Sequence, residues 1–439
     1  MSSKKKTPQK RLKTLKRWKR FVTVIEILFG IVLLFFASVI FVPGMKTQLI
    51  KTMASTTIGK TIIGWFGSAA YDESVFDKNF DNNKLKTNNL KYNYSEEYTN
   101  FVMYGVDSRE GEVDASNSDS ILIVSIHNTT GQVKMVSVYR DTLLGIYDTS
   151  GNLTNYFKVN SAYAGGGPEA AINTLNMNLD LDLKDYVTVN FSGVAEIIDT
   201  LGGIKVNLTE DERYQLNFHL KSTMTSTGTY APYVKRSGNN IKLNGIQATT
   251  YCRIRKATFY DPKTGEAIRD DFGRAARQRS VIMKLVESAK KASITELQDM
   301  VSAVLNEDKE SNRIISTSFS FDEIVNLIPV IFDFELGGSE GFPSELSTAT
   351  LGSASYVIPN GLDANVSALH KYLYGEEEYE PTENVKSIAG YITGYTGVSS
   401  YSAGMRPTDP EANTVPDETE NVTDNTNYDY DDKGKSEFY

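Results

Sequence analysis

One cysteine in 439 residues leaves Cys252 without a partner, which excludes an intramolecular disulfide and any cysteine-built zinc cluster. Histidine is almost as scarce. His127, His219 and His370 stand far apart in the chain, so a histidine metal site is not expected, and any metal would be a hard cation on carboxylates. Twelve prolines and 23% charged residues beside 40% apolar ones exclude a fibrous or wholly disordered chain.

Acid is missing altogether from residues 1–20, which carry ten Lys or Arg; the rest of the chain holds 36 basic and 55 acidic side chains, a net of −19. Next comes an apolar stretch over 21–42, with Glu26 its one charge. As a helix it reaches about 33 Å, enough to cross a bilayer. Cations on one flank predict a cytoplasmic N-terminus, with everything after residue 42 outside. A cleaved signal peptide has a shorter apolar core and a small-residue cleavage site, which Phe41-Val42-Pro43-Gly44 does not offer, so the stretch reads as a retained single-pass anchor. Orientation and anionic membrane lipid account for the basic tail, and nucleic acid is not expected as a partner.

The remainder divides into a stalk over 43–97 with a helix near 58–66, a folded domain over 98–375, and an acidic low-complexity tail over 376–439. The last 34 residues hold ten acids against three bases and read as disordered. Within the domain, 101–106, 120–126 and 133–139 are β-rich, the last two joined by the hairpin signal Asn128-Thr129-Thr130-Gly131. Pro168 opens a helix to residue 176. A strand over 186–191, a helix over 194–201, a Gly202-Gly203 turn and a strand over 204–208 form a β-α-β run. A helix over 274–291 has an apolar face of Ile282, Leu285, Val286 and Ala289. Ser320 and Glu323 match a capping box ahead of a helix over 324–332, and a last helix over 364–374 stops at Gly375. The pattern predicts an α/β (α+β) domain, a mixed central sheet flanked by helices.

Three clusters carry possible chemistry. In Gly105-Val106-Asp107-Ser108-Arg109 and Asn117-Ser118-Asp119, one carboxylate ends a strand and another begins the next. Both can meet at one sheet edge and hold Mg²⁺ that keeps most of its waters, unless they are ordinary solvated turn acids. Tyr139-Arg140-Asp141 closes another strand. Arg253 and Arg255 precede Asp271-Phe272-Gly273-Arg274-Ala275-Ala276-Arg277-Gln278-Arg279, where Arg274, Arg277 and Gln278 share a helical face. Cations in a helix's first turn oppose its dipole and call for an anion, either surplus acids of this chain or a phosphate.

These segments, with Leu243-Asn244-Gly245-Ile246-Gln247-Ala248, follow the order of the LytR-CpsA-Psr signatures, and the chain resembles that family over 98–292. The resemblance implies an enzyme outside the membrane that binds a polyprenyl-pyrophosphate-linked glycan in an apolar pocket. With Mg²⁺ as cofactor, it transfers the glycopolymer to peptidoglycan as a phosphodiester. It further implies Asp107 and Asp119 as metal ligands and Arg140, Arg253, Arg255, Arg274 and Gln278 as pyrophosphate contacts. Asp271 is implied as the group that activates the acceptor hydroxyl. Asn117 stands where many members have arginine, so one pyrophosphate contact is either missing or supplied by Arg109. The competing class is a non-catalytic wall-binding module or an envelope-linked regulator. Cys252 reads as a packing residue. Expected pocket walls are Val187, Val189 and Phe191, then Val194, Ile197, Ile198 and Leu201, then Ile282, Leu285 and Val286.

Overall fold

Alternate residues of Tyr98–Val106 (β1) are buried, a period-2 pattern that turns Val102, Tyr104 and Val106 to one face and Phe101 and Met103 to the other. The computed structural model describes residues 75–107, 117–293, 315–320 and 334–399, with 296–297, 299–300 and 323–324 besides. The anchor, the helix near 58–66 and most of the helix over 324–332 lie outside the described residues.

After β1 come Ser118–His127 (β2), Gln132–Val138 (β3), Leu143–Tyr147 (β4), Leu153–Lys158 (β5), Ser161–Leu179 (α1), Asp185–Val189 (β6), Phe191–Thr200 (α2) and Ile204–Leu208 (β7). Glu210–Thr227 (α3), Gly238–Leu243 (β8), Gly245–Tyr251 (α4), Phe259–Tyr260 (β9), Ala267–Ile268 (β10) and Asp270–Ala289 (α5) follow. Ile315–Thr317 (β11), Glu335–Phe342 (β12), Leu346–Leu351 (β13), Ala354–Pro359 (β14), Leu362–Tyr374 (α6) and Glu383–Thr396 (α7) complete the described elements.

Six strands form one sheet in the order β11-β6-β1-β2-β3-β12. It is mixed, as expected: β2 runs antiparallel to β1 and β3, whereas β6 is parallel to β1 and β12 to β3. One face packs on α1, α6 and α7 through residues such as Tyr104, Ile172, Val366 and Val385. The other meets α5 through Leu122, Val124, Met135 and Ile282. A second core, around Leu216, Leu220, Ile246 and Ile254, makes a lobe from α2, α3, α4, β7 and β8.

The expected β-α-β run does not stay in the sheet. After α2 the chain turns through Gly203 at φ +89°, where a Cβ would lie 2.6 Å from the Leu243 carbonyl, and β7 pairs antiparallel with β8 instead. The helix read from Pro168 exists with an extra turn before it: Gly166 and Gly167 break α1, and Pro168 restarts it.

Both domain boundaries move outward. The Asp180 carboxylate, just past α1, accepts from Asn88 Nδ2 at 2.6 Å, Thr382 N–H at 2.8 Å and Thr382 Oγ1 at 2.7 Å. Part of the supposed stalk thus packs on the domain, Val75 and Tyr94 being buried. So does α7, placed by the sequence reading in the tail, through Val385, Ile388, Ala389 and Ile392. Close by, His370 is buried, its ring stacked on Tyr379 at 3.6 Å and its Nε2 3.0 Å from the Leu179 carbonyl oxygen. Burial pushes its pKa down to about 4. In the unfolded chain the same imidazole takes up a proton near 6.5. Stability from this group is therefore complete above that value and is lost as pH falls through the window to about 4. The unfolding free energy from urea titrations is expected to drop over that window by about 3 kcal/mol more in the parent than in His370→Gln. Equal slopes would remove His370 as the cause.

Candidate active site

The sheet, α5 and the lobe converge where β1 ends and β2 begins. Asp107, Asp119, Arg253, Arg255, Arg274 and Gln278, all singled out from the sequence, line one polar cavity together with Phe191, His219, Cys252 and Lys256. Its volume, open mouth included, is about 850 Å³. Local chemistry explains how the arginines arrive there. Asn244 and Gln247 form a reciprocal capping box that starts α4, and Gly245 packs where a Cβ would meet the Ala195 carbonyl at 2.0 Å. The family signature at 243–248 is thus structural: it docks α4 on α2 and delivers Arg253 and Arg255 to the cavity. Arg253 lies over the Phe191 ring at 4.6 Å and donates to Thr223 Oγ1 at 3.0 Å.

Asp271, in the first turn of α5, is held between three guanidinium groups. Arg274 Nη2 lies 3.1 Å away, Arg255 Nε 3.3 Å and Arg140 Nε 3.5 Å. Arg140 also donates to Asp119 Oδ1 at 2.5 Å, and Arg274 to the Asp119 carbonyl at 2.9 Å. Desolvation pulls the nearly buried Arg274 down to about 10, against the attraction of Asp271. Four buried polar atoms of this network have no hydrogen bond: Asp107 Oδ1, Arg140 Nε, Asp271 Oδ1 and Arg274 Nε. Arg140 Nε and Asp271 Oδ1 keep ion pairs at 3.5 and 3.3 Å, which leaves Asp107 Oδ1 and Arg274 Nε, both on residues of the cavity wall, as the atoms that call for a polar ligand.

Beside the polar cavity lies an apolar one of about 720 Å³, its mouth included, between α5, α2 and the sheet. The two share Asp119, Phe191, Cys252 and Gln278 in their walls, so they adjoin. Of the expected walls, Val189, Phe191, Val194 and Ile282 line it. Ile198 and Leu285 belong instead to the second core, Val286 to the packing under α5, and Val187 and Ile197 to a small cluster with Val75. Leu201 packs with Ala289 and Leu297.

Arg277 is a correction. It points away from the cavity, is fully buried, and pairs with Glu212 Oε1 at 2.9 Å while donating to the Ile254 and Ala257 carbonyls. A 100° step per residue puts it near Arg274 on a helical wheel but on the side of the second core. Arg109 lies outside the described residues. His219 and Lys256 were missed: α3 gave no motif, although Lys256 directly follows Arg255. Its neighbours Arg253, Lys256 and Arg255 add to burial in lowering the His219 pKa. The Cys252 thiol is pushed up to about 12 by burial, so it packs rather than attacks.

Among the described residues no group of three or more histidine, cysteine or acidic side chains surrounds a metal position. The donor set present, Asp107 and Asp119 with one orphaned carboxylate oxygen, suits Mg²⁺ that draws its other ligands from water and phosphate.

The fold and the site define an α/β domain with an arginine-rich polar cavity adjoining an apolar one. Residues 66–326 match the profile of the LytR_cpsA_psr family. The chain belongs to that family. It is 28% identical over 286 residues to the polyisoprenyl-teichoic acid–peptidoglycan teichoic acid transferase TagV of Bacillus subtilis, covering 63% of this chain and 64% of that protein. To TagU of the same organism, a transferase of the same description, it is 32% identical over 233 residues, 53% and 63% of the two lengths. Biofilm regulatory protein A of Streptococcus mutans is 32% identical over 231 residues, covering 51% and 52%. The match thus spans somewhat under two thirds of these relatives. Among solved structures, Streptococcus agalactiae gbs0355 superposes with a TM-score of 0.51 and 26% identity, over 66% of this chain and 93% of that one.

Proposed function

We propose that this protein is a Mg²⁺-dependent phosphotransferase that moves a glycopolymer from a polyprenyl-pyrophosphate carrier onto peptidoglycan. It works at the outer face of the membrane, held there by the segment 21–42. The observation that carries this reading is a polar cavity lined by Arg253, Arg255 and Arg274 with Asp107 and Asp119, lying against an apolar one. The relatives named above as transferases support it.

In the ligand-free site Asp271 is the anion that Arg140, Arg255 and Arg274 share. An incoming pyrophosphate takes over those guanidinium groups, whose planar forks present paired N–H donors to two oxygens of a phosphate. Asp271 is thereby freed to accept a proton. The acceptor hydroxyl oxygen attacks the glycan-side phosphorus, the bond to the bridging oxygen breaks, and polyprenyl phosphate leaves with the electron pair. The hydroxyl proton passes to Asp271. Arg140 and Arg274 face the charge that grows on the leaving phosphate. Asp107 and Asp119 would hold Mg²⁺, which supplies further neutralisation of that charge.

The direct test mixes the protein with a lipid-pyrophosphate glycan, peptidoglycan fragments and Mg²⁺. A phosphodiester-linked product is expected, and neither transfer nor donor binding would leave only a wall-binding module. The apolar cavity has its own test in Val194→Trp. In a solid core this enlargement would cost about 1–3 kcal/mol. In a cavity that houses a prenyl chain it is expected to leave the melting temperature nearly unchanged while abolishing binding of long-chain polyprenyl phosphate.

A further inference from the structure

Charge is not spread evenly over the folded part. Between residues 204 and 257, the lobe carries nine Lys or Arg against three acids, in a chain that is net −19 after residue 20. All three acids, Glu210, Asp211 and Glu212, sit in the first turn of α3, and Glu212 is consumed internally by Arg277. The same lobe exposes four large aromatic side chains: Tyr214 (61%), Phe218 (67%), Tyr230 (68%) and Tyr233 (47%). Asn217 Nδ2 donates to the Val234 carbonyl at 2.9 Å, its Oδ1 accepts from Val234 N–H at 2.8 Å, and Ala231 N–H reaches Met224 Sδ at 3.2 Å. The segment after α3 therefore runs back along the helix with Tyr230 and Tyr233 on it, while Tyr214 and Phe218 lie one turn apart on α3 itself. The Phe218 ring meets His219 edge-on at 5.1 Å, and His219 lines the polar cavity.

Exposed rings flanked by cations are what a water–lipid interface accommodates: rings settle at headgroup depth and ammonium or guanidinium groups lie over anionic headgroups. We propose that this basic, aromatic lobe is the face on which the protein rests against an anionic bilayer surface. The inference rests on the lipid-carrier reading above. A carrier anchored in a bilayer presents its pyrophosphate at headgroup depth, so the cavity mouth that receives it must lie there too, and His219 ties that mouth to the aromatic strip. Phe218 offers no polar atom to a sugar hydroxyl, which favours lipid over glycan as the occupant.

The test uses the full chain in nanodiscs with an environment-sensitive fluorophore on Tyr230→Cys and a nitroxide-bearing lipid as quencher. The wild-type chain, whose one thiol is Cys252, is the blank. A label on Tyr395→Cys, on α7 across the sheet, is the reference. Quenching is expected at position 230 in discs containing phosphatidylglycerol, weaker in zwitterionic discs and at high salt, and small at position 395. Equal quenching at both positions, or none at 230, overturns the proposal. A second arm compares donors with Phe218→Ser/Tyr230→Ser. Transfer from a long polyprenyl donor in anionic vesicles is expected to show a KM raised about tenfold, equivalent to about 1.4 kcal/mol, with kcat unchanged. A water-soluble short-prenyl donor is expected to be used as by the parent. Equal loss with both donors places the strip on the glycan and overturns the proposal. Quenching needs no turnover, so quenching without transfer sinks the enzymatic reading alone, and transfer without quenching sinks the docking face alone.

Discussion

Replacing Asp107 and Asp119 together by asparagine is expected to lower transfer about 1,000-fold, the loss of about 4 kcal/mol of transition-state stabilisation. The fold should hardly notice. Asp107 Oδ1 has no hydrogen-bond partner to lose. Arg140 gives up its contact with Asp119 and keeps Asp141 and Asp271 within ion-pair distance. All of these side chains are partly solvated, so the pair contributes about 1 kcal/mol or less. Two readouts separate the metal assignment from a general electrostatic effect: the Mg²⁺ dependence of transfer, and the heat of Mg²⁺ binding in the presence of polyprenyl pyrophosphate. A double variant that still responds to Mg²⁺ in both would refute the assignment.

The second large effect is on stability and lies just one residue from a binding side chain. Arg277→Met should cost about 3–5 kcal/mol, because it leaves Glu212 charged and unpaired in the second core. The pair is almost inaccessible to water, the side chains being 0% and 3% exposed. Restoring apolarity on both sides, in Arg277→Met/Glu212→Leu, should recover much of the loss. Denaturant midpoints of the parent, the single and the double variant decide it. A single variant of parental stability that no longer binds pyrophosphate would return Arg277 to the cavity.

That contrast shows what the sequence disclosed and what it withheld. Side-chain type and order along the chain disclosed the site: the carboxylates at the end of β1 and the start of β2 and the arginines after α4 and in α5 line one cavity, and Arg140 and Asp271 join them through ion pairs. Direction was withheld. Arg274, Arg277 and Gln278 are neighbours on a helical wheel, but α5 is wedged between the sheet and the lobe, so a turn of the helix separates ligand space from core. The β-α-β pattern was equally ambiguous, since the strand after Gly203 can pair with whatever edge the turn presents, and here it presents β8. At the C-terminal end, Val385, Ile388, Ala389 and Ile392 do recur at helical spacing. The acids at 376–378, 380 and 383 around them drew the eye to the tail's composition instead.

The carboxylate of Asp180 also fixes when the protein can finish folding. It binds Asn88 and Thr382, 92 residues before it and 202 after it. Contacts this far apart in sequence form late and slow the search for the native state. A chain made from its N-terminus must therefore deliver nearly four hundred residues before α7 can close against α1. Until Thr382 arrives, the apolar face meant for Val385 and Ile388 stays open to solvent, a natural target for chaperones and proteases.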